Sequence, residues 1–193
     1  MAIHIPEHNL TFIHIPKTGG SSIQSWLLEN TKCVNPKKSV HWTVSKTKQY
    51  FDNVGKTFCV VRNPWDWMVS WFEYERKLTP RHLVNLSSIT KLNINKETHN
   101  KQLLTKKQAV LDKGFKSYLL EYGIHAPPQY NWASDVDIIL HFENLNADFK
   151  QLFKTNTNLP TVNTTERQAW PSYYDKECKQ IMLDYFSKDF TLM

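Results

Sequence analysis

The stretch TFIHIPKTGGSSIQSWLLEN, residues 11–30, decides the fold class of this chain. Residues 11–15 are β-branched or aromatic apart from one histidine, which predicts a short buried strand. The pattern breaks at the proline and the two glycines of residues 16–20. Apolar side chains then recur at the spacing of one helix face up to Asn30. The sequence therefore predicts a strand, a glycine turn and a helix in direct succession.

The same alternation of strand and helix continues outward from this stretch. Residues 57–61 (TFCVV) and 136–142 (VDIILHF) are apolar runs that predict two more buried strands. Helices are expected to end near residue 51 and to cover residues 65–77, 115–122, 145–153 and 175–186. We expect a polar loop-and-helix excursion at residues 79–113. Alternating strands and helices predict an α/β fold with a central parallel sheet flanked by helices, in one domain over residues 1–193.

Composition limits the classes of protein to which the chain can belong. It has 193 residues, of which 40% are hydrophobic, enough for a core and too many for a disordered chain. Its net charge of +6 predicts an anionic partner, without distinguishing nucleic acid, a phosphate cofactor or an acidic polysaccharide. Only four of the 24 basic residues are arginine. Each arginine is therefore informative, because its planar fork is suited to oxyanions.

Cysteine spacing and hydropathy indicate the cellular compartment of the protein and whether it binds a metal ion. The three cysteines, Cys33, Cys59 and Cys178, form no CxxC pair and no metal-binding cluster with histidine. No signal-peptide pattern and no apolar run of about 18 residues is present in the sequence. We therefore expect a cytoplasmic protein with no transmembrane segment and no metal ion.

The turn after the first predicted strand, PKTGGSS, has the composition of an anion-binding loop. Amide groups in a glycine turn and at a helix N-terminus attract oxyanions, and Lys17 adds a positive charge. The order of residues differs from that of a Walker A loop, in which the lysine follows the glycines. An ordinary capped turn with a surface lysine is the alternative. The candidate binding residues are Pro16, Lys17, Thr18, Gly19, Gly20, Ser21 and Ser22.

A second candidate segment, RNPWDWMVS, follows the strand predicted at residues 57–61. Arg62 leaves a buried strand, where an unpaired guanidinium is costly. The sequence alone leaves two partners open, a structural carboxylate such as Asp66 or a ligand phosphate. Asn63 and Pro64 predict the N-cap and the first residue of the next helix. Ser70 follows on the same helix edge as Asp66.

Together, PKTGGSS and RNPWDWMVS resemble the family of sulfotransferases that use 3′-phosphoadenosine 5′-phosphosulfate (PAPS). They are similar in particular to small carbohydrate-type members related to heparan sulfate 2-O-sulfotransferases. The resemblance extends to VHWT at residues 40–43, to DIILHFENL at residues 137–145 and to a terminal YYD…Y…DF pattern. The chain departs from many relatives at Trp67, where they have arginine, and in ending at Met193, shortly after Asp189 and Phe190.

This resemblance implies a P-loop-like phosphosulfate-binding loop and a sulfotransferase activity. The sulfuryl group of PAPS would pass to an acceptor hydroxyl by in-line displacement, with adenosine 3′,5′-bisphosphate as the product. The resemblance assigns the 5′-phosphosulfate to the loop at residues 16–22 and the 3′-phosphate to Arg62 and Ser70. Lys17 would neutralise the leaving oxygen, and His41 would be the base. It also implies a glycan or glycolipid acceptor.

Other residues receive weaker predictions. His14 lies within the first predicted strand and is expected to be a core residue, while Glu143 is expected to brace the sheet. Arg167 is a minor candidate for contact with the cofactor or with an anionic acceptor. Lys91, Lys96, Lys101, Lys106 and Lys107 form either a solvated face or an acceptor groove.

Three other functions remain open from the sequence. A P-loop-like phosphotransferase shares the fold class and the anion site, but it needs Mg²⁺ and a different lysine position. A non-catalytic protein that binds nucleic acid or nucleotides would use the positive charge, although no motif for reading nucleic acid is present. A pseudoenzyme that binds the cofactor without an acceptor is the third.

Overall fold

The computed structural model describes residues 2–34, 41–88 and 94–193, with backbone alone for residues 80–88 and 94–99. Residues in contact cluster into two compact units. The first unit comprises Met1–Pro64, Pro127–Thr164 and Phe186–Met193, and the second comprises Trp65–Ala126 and Thr165–Tyr185. The single domain expected over residues 1–193 stays a prediction.

The first unit is built on a four-stranded sheet in the described residues, in the order β1-β2-β3-β4. The strands are β1 (Ala2–Ile5), β2 (Leu10–Ile13), β3 (Lys56–Val61) and β4 (Ile138–His141). β2, β3 and β4 are parallel, whereas β1 pairs antiparallel with β2. This confirms the predicted α/β fold with a largely parallel sheet. The sequence prediction missed β1.

Helices connect and flank these strands in the described part of the chain. They are α1 (Gly20–Asn30), α2 (Val44–Lys48), α3 (Pro64–Ser88), α4 (Ile94–Asp112), α5 (Phe115–Glu121), α6 (Tyr130–Ala133), α7 (Leu145–Phe153) and α8 (Lys176–Phe190). The predicted bounds of α7 are those observed, and α3 starts at Pro64 as expected. α8 contains one residue with non-helical backbone angles, Phe186.

The side chains of the strands alternate between the two faces of the sheet, and both faces are buried. On one face, Phe12 and Phe58 pack with Trp26 of α1 and Phe149 of α7. On the other face, residues such as Cys59 pack with side chains from α2 and α6. Both faces of the parallel strands are therefore covered, which is the usual arrangement for a parallel sheet.

The parallel strands end at the same edge of the sheet. His14 follows β2, Arg62 follows β3 and Phe142 follows β4. In open α/β sheets, ligands bind outside the carboxyl ends of the strands. The topology therefore brings the segments after β2 and β3 to the edge where a ligand site is expected.

The second unit is helical in its described residues. It contains α3 from Trp65 onward, α4, α5 and α8 as far as Tyr185. Its core includes Trp67, which is fully buried, and Phe115, which contacts the ring of Tyr174. Trp67 is thus a packing residue in this chain.

The helix boundaries in this unit differ from the prediction. α3 was expected to end near residue 77, but it continues to Ser88. α4 occupies most of the predicted excursion at residues 79–113, so the described part of that segment is mainly helical. Residues 89–93 of the excursion lie outside the described residues.

Candidate active site

The segment between β2 and α1 is a turn with two left-handed backbone conformations, at Lys17 (φ 68°) and Gly19 (φ 85°). Such a conformation costs a non-glycine residue about 1–2 kcal/mol, so other contacts must hold Lys17 in place. The carbonyl oxygen of Lys17 accepts a hydrogen bond from Nη1 of Arg62 at 3.0 Å. The hydroxyl of Thr18 donates to the carbonyl oxygen of Ile15 at 2.9 Å. These contacts fix the turn.

Two glycines bring the backbone of this turn against neighbouring side chains. A Cβ atom on Gly19 would lie 3.0 Å from Cδ2 of Leu145 and 3.1 Å from Cδ2 of Phe142. A Cβ atom on Gly20 would lie 2.1 Å from Cδ2 of His14, well inside contact distance. Neither position has room for a side chain, so the residue before α1 and the first residue of α1 are both glycine.

The start of α1 supplies the donors for an anion at this turn. The first amide groups of a helix have no acceptor inside the helix, and Gly20 and Ser21 occupy those positions. Ser22 differs, because its N–H group donates to the carbonyl oxygen of Gly19 at 3.0 Å. The hydroxyl of buried Thr18 is also engaged within the turn. The donors best suited to an anion are therefore the amides of Gly20 and Ser21 and the two serine hydroxyls.

Arg62 is buried, and contacts in the first unit orient its guanidinium. Besides the hydrogen bond to the Lys17 carbonyl, its Cζ atom lies 3.9 Å from the centroid of the Phe142 ring. An arginine over an aromatic face is a stabilising cation–π arrangement. The hydrogen bond joins the two segments that the sequence singled out, residues 16–22 and residues 62–70.

The residues next to Arg62 are braced by the segment after β4. The N–H group of Asn63 donates to Oε1 of Glu143 at 2.8 Å, which is a bracing contact of the kind expected for Glu143. Asp137, directly before β4, accepts hydrogen bonds from the N–H group and the hydroxyl of Thr57 in β3, each at 2.7 Å. These carboxylates hold adjacent strands in register.

His41 has one side-chain nitrogen committed to the protein. Its Nδ1–H donates to the carbonyl oxygen of His14 at 2.9 Å. Because a carbonyl only accepts, Nδ1 carries the hydrogen and Nε2 keeps its lone pair. His41 is solvent-accessible, yet partial burial of its ring lowers its pKa below the ordinary 6.5. At pH 7 the imidazole is therefore mainly neutral, with a basic Nε2.

The residues after His41 fix its position. The ring of Trp42 is buried in the core on the α2 side of the sheet. The hydroxyl of Thr43 accepts from the N–H group of Lys46 and caps α2. The preceding residue of the VHWT pattern, Val40, lies outside the described residues. The structure thus gives a packing role to Trp42 and a capping role to Thr43.

His14 is a buried histidine that contacts His41 edge to face, with ring centroids 4.9 Å apart. Its ring also stacks on Phe12. Its Nδ1 atom has no hydrogen-bond partner among the described residues, and burial lowers the pKa of the ring to about 3. His14 is therefore neutral at physiological pH. The prediction that it is a core residue is confirmed.

Burial of His14 predicts a loss of stability in acid. The unfolded ring takes up a proton near pH 6.5, whereas the folded ring does so only near pH 3. Between these values the unfolded state binds more protons, so the free energy of unfolding should fall as pH decreases, by up to about 1.4 kcal/mol per pH unit. We expect His14→Gln to reduce this slope in urea unfolding between pH 6.5 and 4.

The matched control for this prediction is His125→Gln, which changes an exposed histidine. The control should keep the slope of the natural chain. An unchanged slope in His14→Gln would show that His14 is protonated in the folded protein at these pH values.

A protein-family model matches almost the whole sequence of the chain. The model of the sulfotransferase family matches residues 2–192. The chain belongs to the sulfotransferase family. No curated protein and no solved structure matches this sulfotransferase. The finer resemblance to the heparan sulfate 2-O type stays a prediction.

Two further candidate residues of the sulfotransferase lie in the second unit. Ser70 is on α3 and is partly exposed. Arg167 donates from Nη2 to Oδ1 of Asp66 at 2.6 Å, so it forms an ion pair within the unit. This pair gives Arg167 a structural contact that the sequence did not predict.

The predicted lysine face of the sulfotransferase divides into two groups. Lys101 and Lys106 are exposed on α4. Lys107 instead pairs with Glu75, with Nζ 2.8 Å from Oε2. The side chains of Lys91 and Lys96 lie outside the described residues, so the acceptor groove stays a prediction.

No helix in the described part of the chain is both long and apolar enough to cross a membrane. Within the same residues, no group of three or more His, Cys, Asp or Glu side chains could hold a metal ion.

Proposed function

We propose that this sulfotransferase transfers the sulfuryl group of PAPS to a carbohydrate hydroxyl. The observation that carries the proposal is the hydrogen bond from Arg62 to the Lys17 carbonyl. It joins the glycine turn and the buried arginine, the two groups suited to the two ends of a nucleotide bisphosphate, at the carboxyl edge of the sheet. Membership of the sulfotransferase family supports the reaction class.

The residues of the site fit the donor. Glycine at positions 19 and 20 lets the turn pack against Leu145, Phe142 and His14, and the first amides of α1 suit the 5′-phosphosulfate. The guanidinium of Arg62 is oriented by Phe142 and suits the 3′-phosphate, because arginine binds phosphate through a planar fork. The resemblance also assigns Ser70 to that phosphate, but the proposal depends on Arg62. PAPS would supply an activated sulfuryl group on a phosphate leaving group.

The roles of the reacting side chains follow from their charge and position. Lys17 stabilises the negative charge that develops on the leaving oxygen. His41 accepts the proton of the acceptor hydroxyl at Nε2, while its Nδ1–H remains on the His14 carbonyl. The hydrogen bond at Nδ1 also selects the tautomer that a general base requires.

A general base favours a sugar over a phenol as acceptor. A phenol has a pKa near ~10 and ionises to some extent without help, whereas an alkyl hydroxyl depends on the base. The experiment is a screen of the full chain with PAPS labelled in the sulfuryl group, against oligosaccharides, phenols and hydroxylated lipids. We expect transfer to saccharides. Transfer to phenols alone, unaffected by His41→Ala, would contradict both the acceptor class and the base.

Lys17→Ala should depress turnover more than donor affinity. The contact of the ammonium group strengthens as charge develops on the leaving oxygen, so its loss should lower kcat by about 10²-fold or more, as for other groups that stabilise a developing oxyanion. The change in the Kd of adenosine 3′,5′-bisphosphate should stay within about tenfold. Steady-state kinetics and calorimetry on the same preparation measure both.

Lys179→Ala, an exposed substitution on α8, is the control for the loss of a positive charge. It should leave both quantities unchanged. If Lys17→Ala lowers affinity alone and keeps kcat at saturation, Lys17 only binds the donor.

A further inference from the structure

Gln129 makes two hydrogen bonds to the backbone of Arg62. The N–H group of Arg62 donates to Oε1 of Gln129 at 2.9 Å, and Nε2 of Gln129 donates to the carbonyl oxygen of Arg62 at 2.8 Å. Gln129 is fully buried. Its side chain therefore pairs with Arg62 as a neighbouring strand would, just beyond the end of β3.

The amide side chain of Gln129 satisfies both backbone groups at once. An amide has a donor and an acceptor on one planar group, whereas an ionised carboxylate only accepts and a thioether does neither well. Losing either bond would remove a hydrogen-bond partner from the backbone of buried Arg62, and such a loss is costly. The pairing therefore depends on the chemical identity of Gln129 and not only on its volume.

Asp189 in turn holds the backbone of Gln129. Its Oδ2 atom accepts from the N–H group of Gln129 at 3.0 Å, and its Oδ1 atom accepts from that of Tyr130 at 2.9 Å. Asp189 is 1% exposed. One buried carboxylate thus caps α6 and connects the C-terminal end of α8 to Gln129.

The two ends of Arg62 are consequently fixed by different groups. Gln129 fixes the backbone, while the Lys17 carbonyl and the Phe142 ring orient the guanidinium. A small shift of the backbone moves the guanidinium by a similar amount, and recognition of a phosphate by a planar fork is sensitive to such shifts.

We infer that Gln129, held by Asp189, is a positioning residue that sets the preference of the site for nucleotides with a 3′-phosphate. The inference rests on the proposed function, in which Arg62 binds that phosphate. Gln129 acts through Arg62 and contributes to discrimination between adenosine 3′,5′-bisphosphate and AMP. The terminal DF pattern thereby gains a role, since its aspartate holds Gln129.

The test compares the Kd values of adenosine 3′,5′-bisphosphate and AMP by calorimetry on the full chain. Gln129→Glu keeps the shape of the side chain, and in its ionised form it has no donor for the Arg62 carbonyl. We expect at least about tenfold weaker binding of the bisphosphate, with AMP changed less than about threefold. Gln151→Glu, the same change at an exposed position of α7, should leave both affinities unchanged.

A second variant keeps the inference testable if a buried glutamate prevents folding. Gln129→Met removes both hydrogen bonds without adding a charge, and it should give the same selective loss. Thermal unfolding of each variant checks the fold. Equal weakening of both nucleotides, or unchanged bisphosphate affinity in a folded variant, would overturn the inference.

Arg62→Lys distinguishes this inference from the proposed function. If Arg62→Lys leaves the ratio of the two affinities unchanged, Arg62 does not read the 3′-phosphate, and the proposed role of Arg62 fails together with the inference. If Arg62→Lys lowers the ratio while folded Gln129 variants keep it, only the inference about Gln129 is wrong.

Discussion

Arg62→Ala is expected to weaken the binding of adenosine 3′,5′-bisphosphate by roughly 2–4 kcal/mol, about 30- to 1,000-fold in Kd. Arg62 is buried and oriented by the Lys17 carbonyl and the Phe142 ring. Its charge would therefore meet the 3′-phosphate in a site that is largely withdrawn from water, where a charged hydrogen bond is strong. Calorimetry with the bisphosphate and with AMP measures the effect, and AMP affinity should change much less.

Arg62→Met controls for packing, because methionine retains apolar contact with Phe142 but carries no charge. It should lose as much bisphosphate affinity as Arg62→Ala. If the methionine variant binds the bisphosphate as tightly as the natural chain, the guanidinium does not contact the 3′-phosphate. Equal losses for the bisphosphate and AMP would assign the effect to the turn at Lys17.

His41→Ala should lower kcat by at least about 10²-fold, the usual contribution of a positioned general base, while donor affinity stays nearly constant. The reason is geometric, since Nδ1–H is held by the His14 carbonyl and leaves the Nε2 lone pair as the proton acceptor. Kinetics with the acceptor found in the screen and calorimetry with the bisphosphate test the two halves of this expectation.

The pH dependence of kcat/KM provides an independent readout for His41. A base loses activity when it is protonated, so the rate should rise with pH through the pKa of His41, which burial places below 6.5. His41→Ala should remove this limb, and His125→Ala, at an exposed histidine, should keep it. A pH profile that persists in His41→Ala would assign the base to another residue.

The local features of the fold were predictable from the sequence because they depend on neighbouring residues. The apolar runs gave β3 and β4 to within two residues, and Pro64 marked the start of α3. β1 was missed because AIHI is only four residues long and one of them is a polar histidine. The end of α3 was placed too early because the residues from Thr79 onward are polar and weakly periodic, a pattern that does not distinguish a helix from a loop.

The candidate site was predicted only in part, because its geometry depends on contacts between residues far apart in the chain. The turn at residues 16–22 and Arg62 were recognisable from their sequence patterns. The bond from Arg62 to the Lys17 carbonyl joins residues 45 apart, and Gln129 lies 67 residues from Arg62. No local pattern marks Gln129, while Asp189 was visible only as part of the terminal DF pattern.

Calorimetric titration of the natural chain with nucleotides, in the presence of a chelator of divalent cations, tests the central claim most directly. The proposed donor site requires a 3′-phosphate and no Mg²⁺. We therefore predict that adenosine 3′,5′-bisphosphate binds at least about tenfold more tightly than AMP or ATP, a difference of about 1.4 kcal/mol or more. Equal affinity for AMP and the bisphosphate, or ATP binding that appears only with Mg²⁺ and exceeds both, would contradict the account.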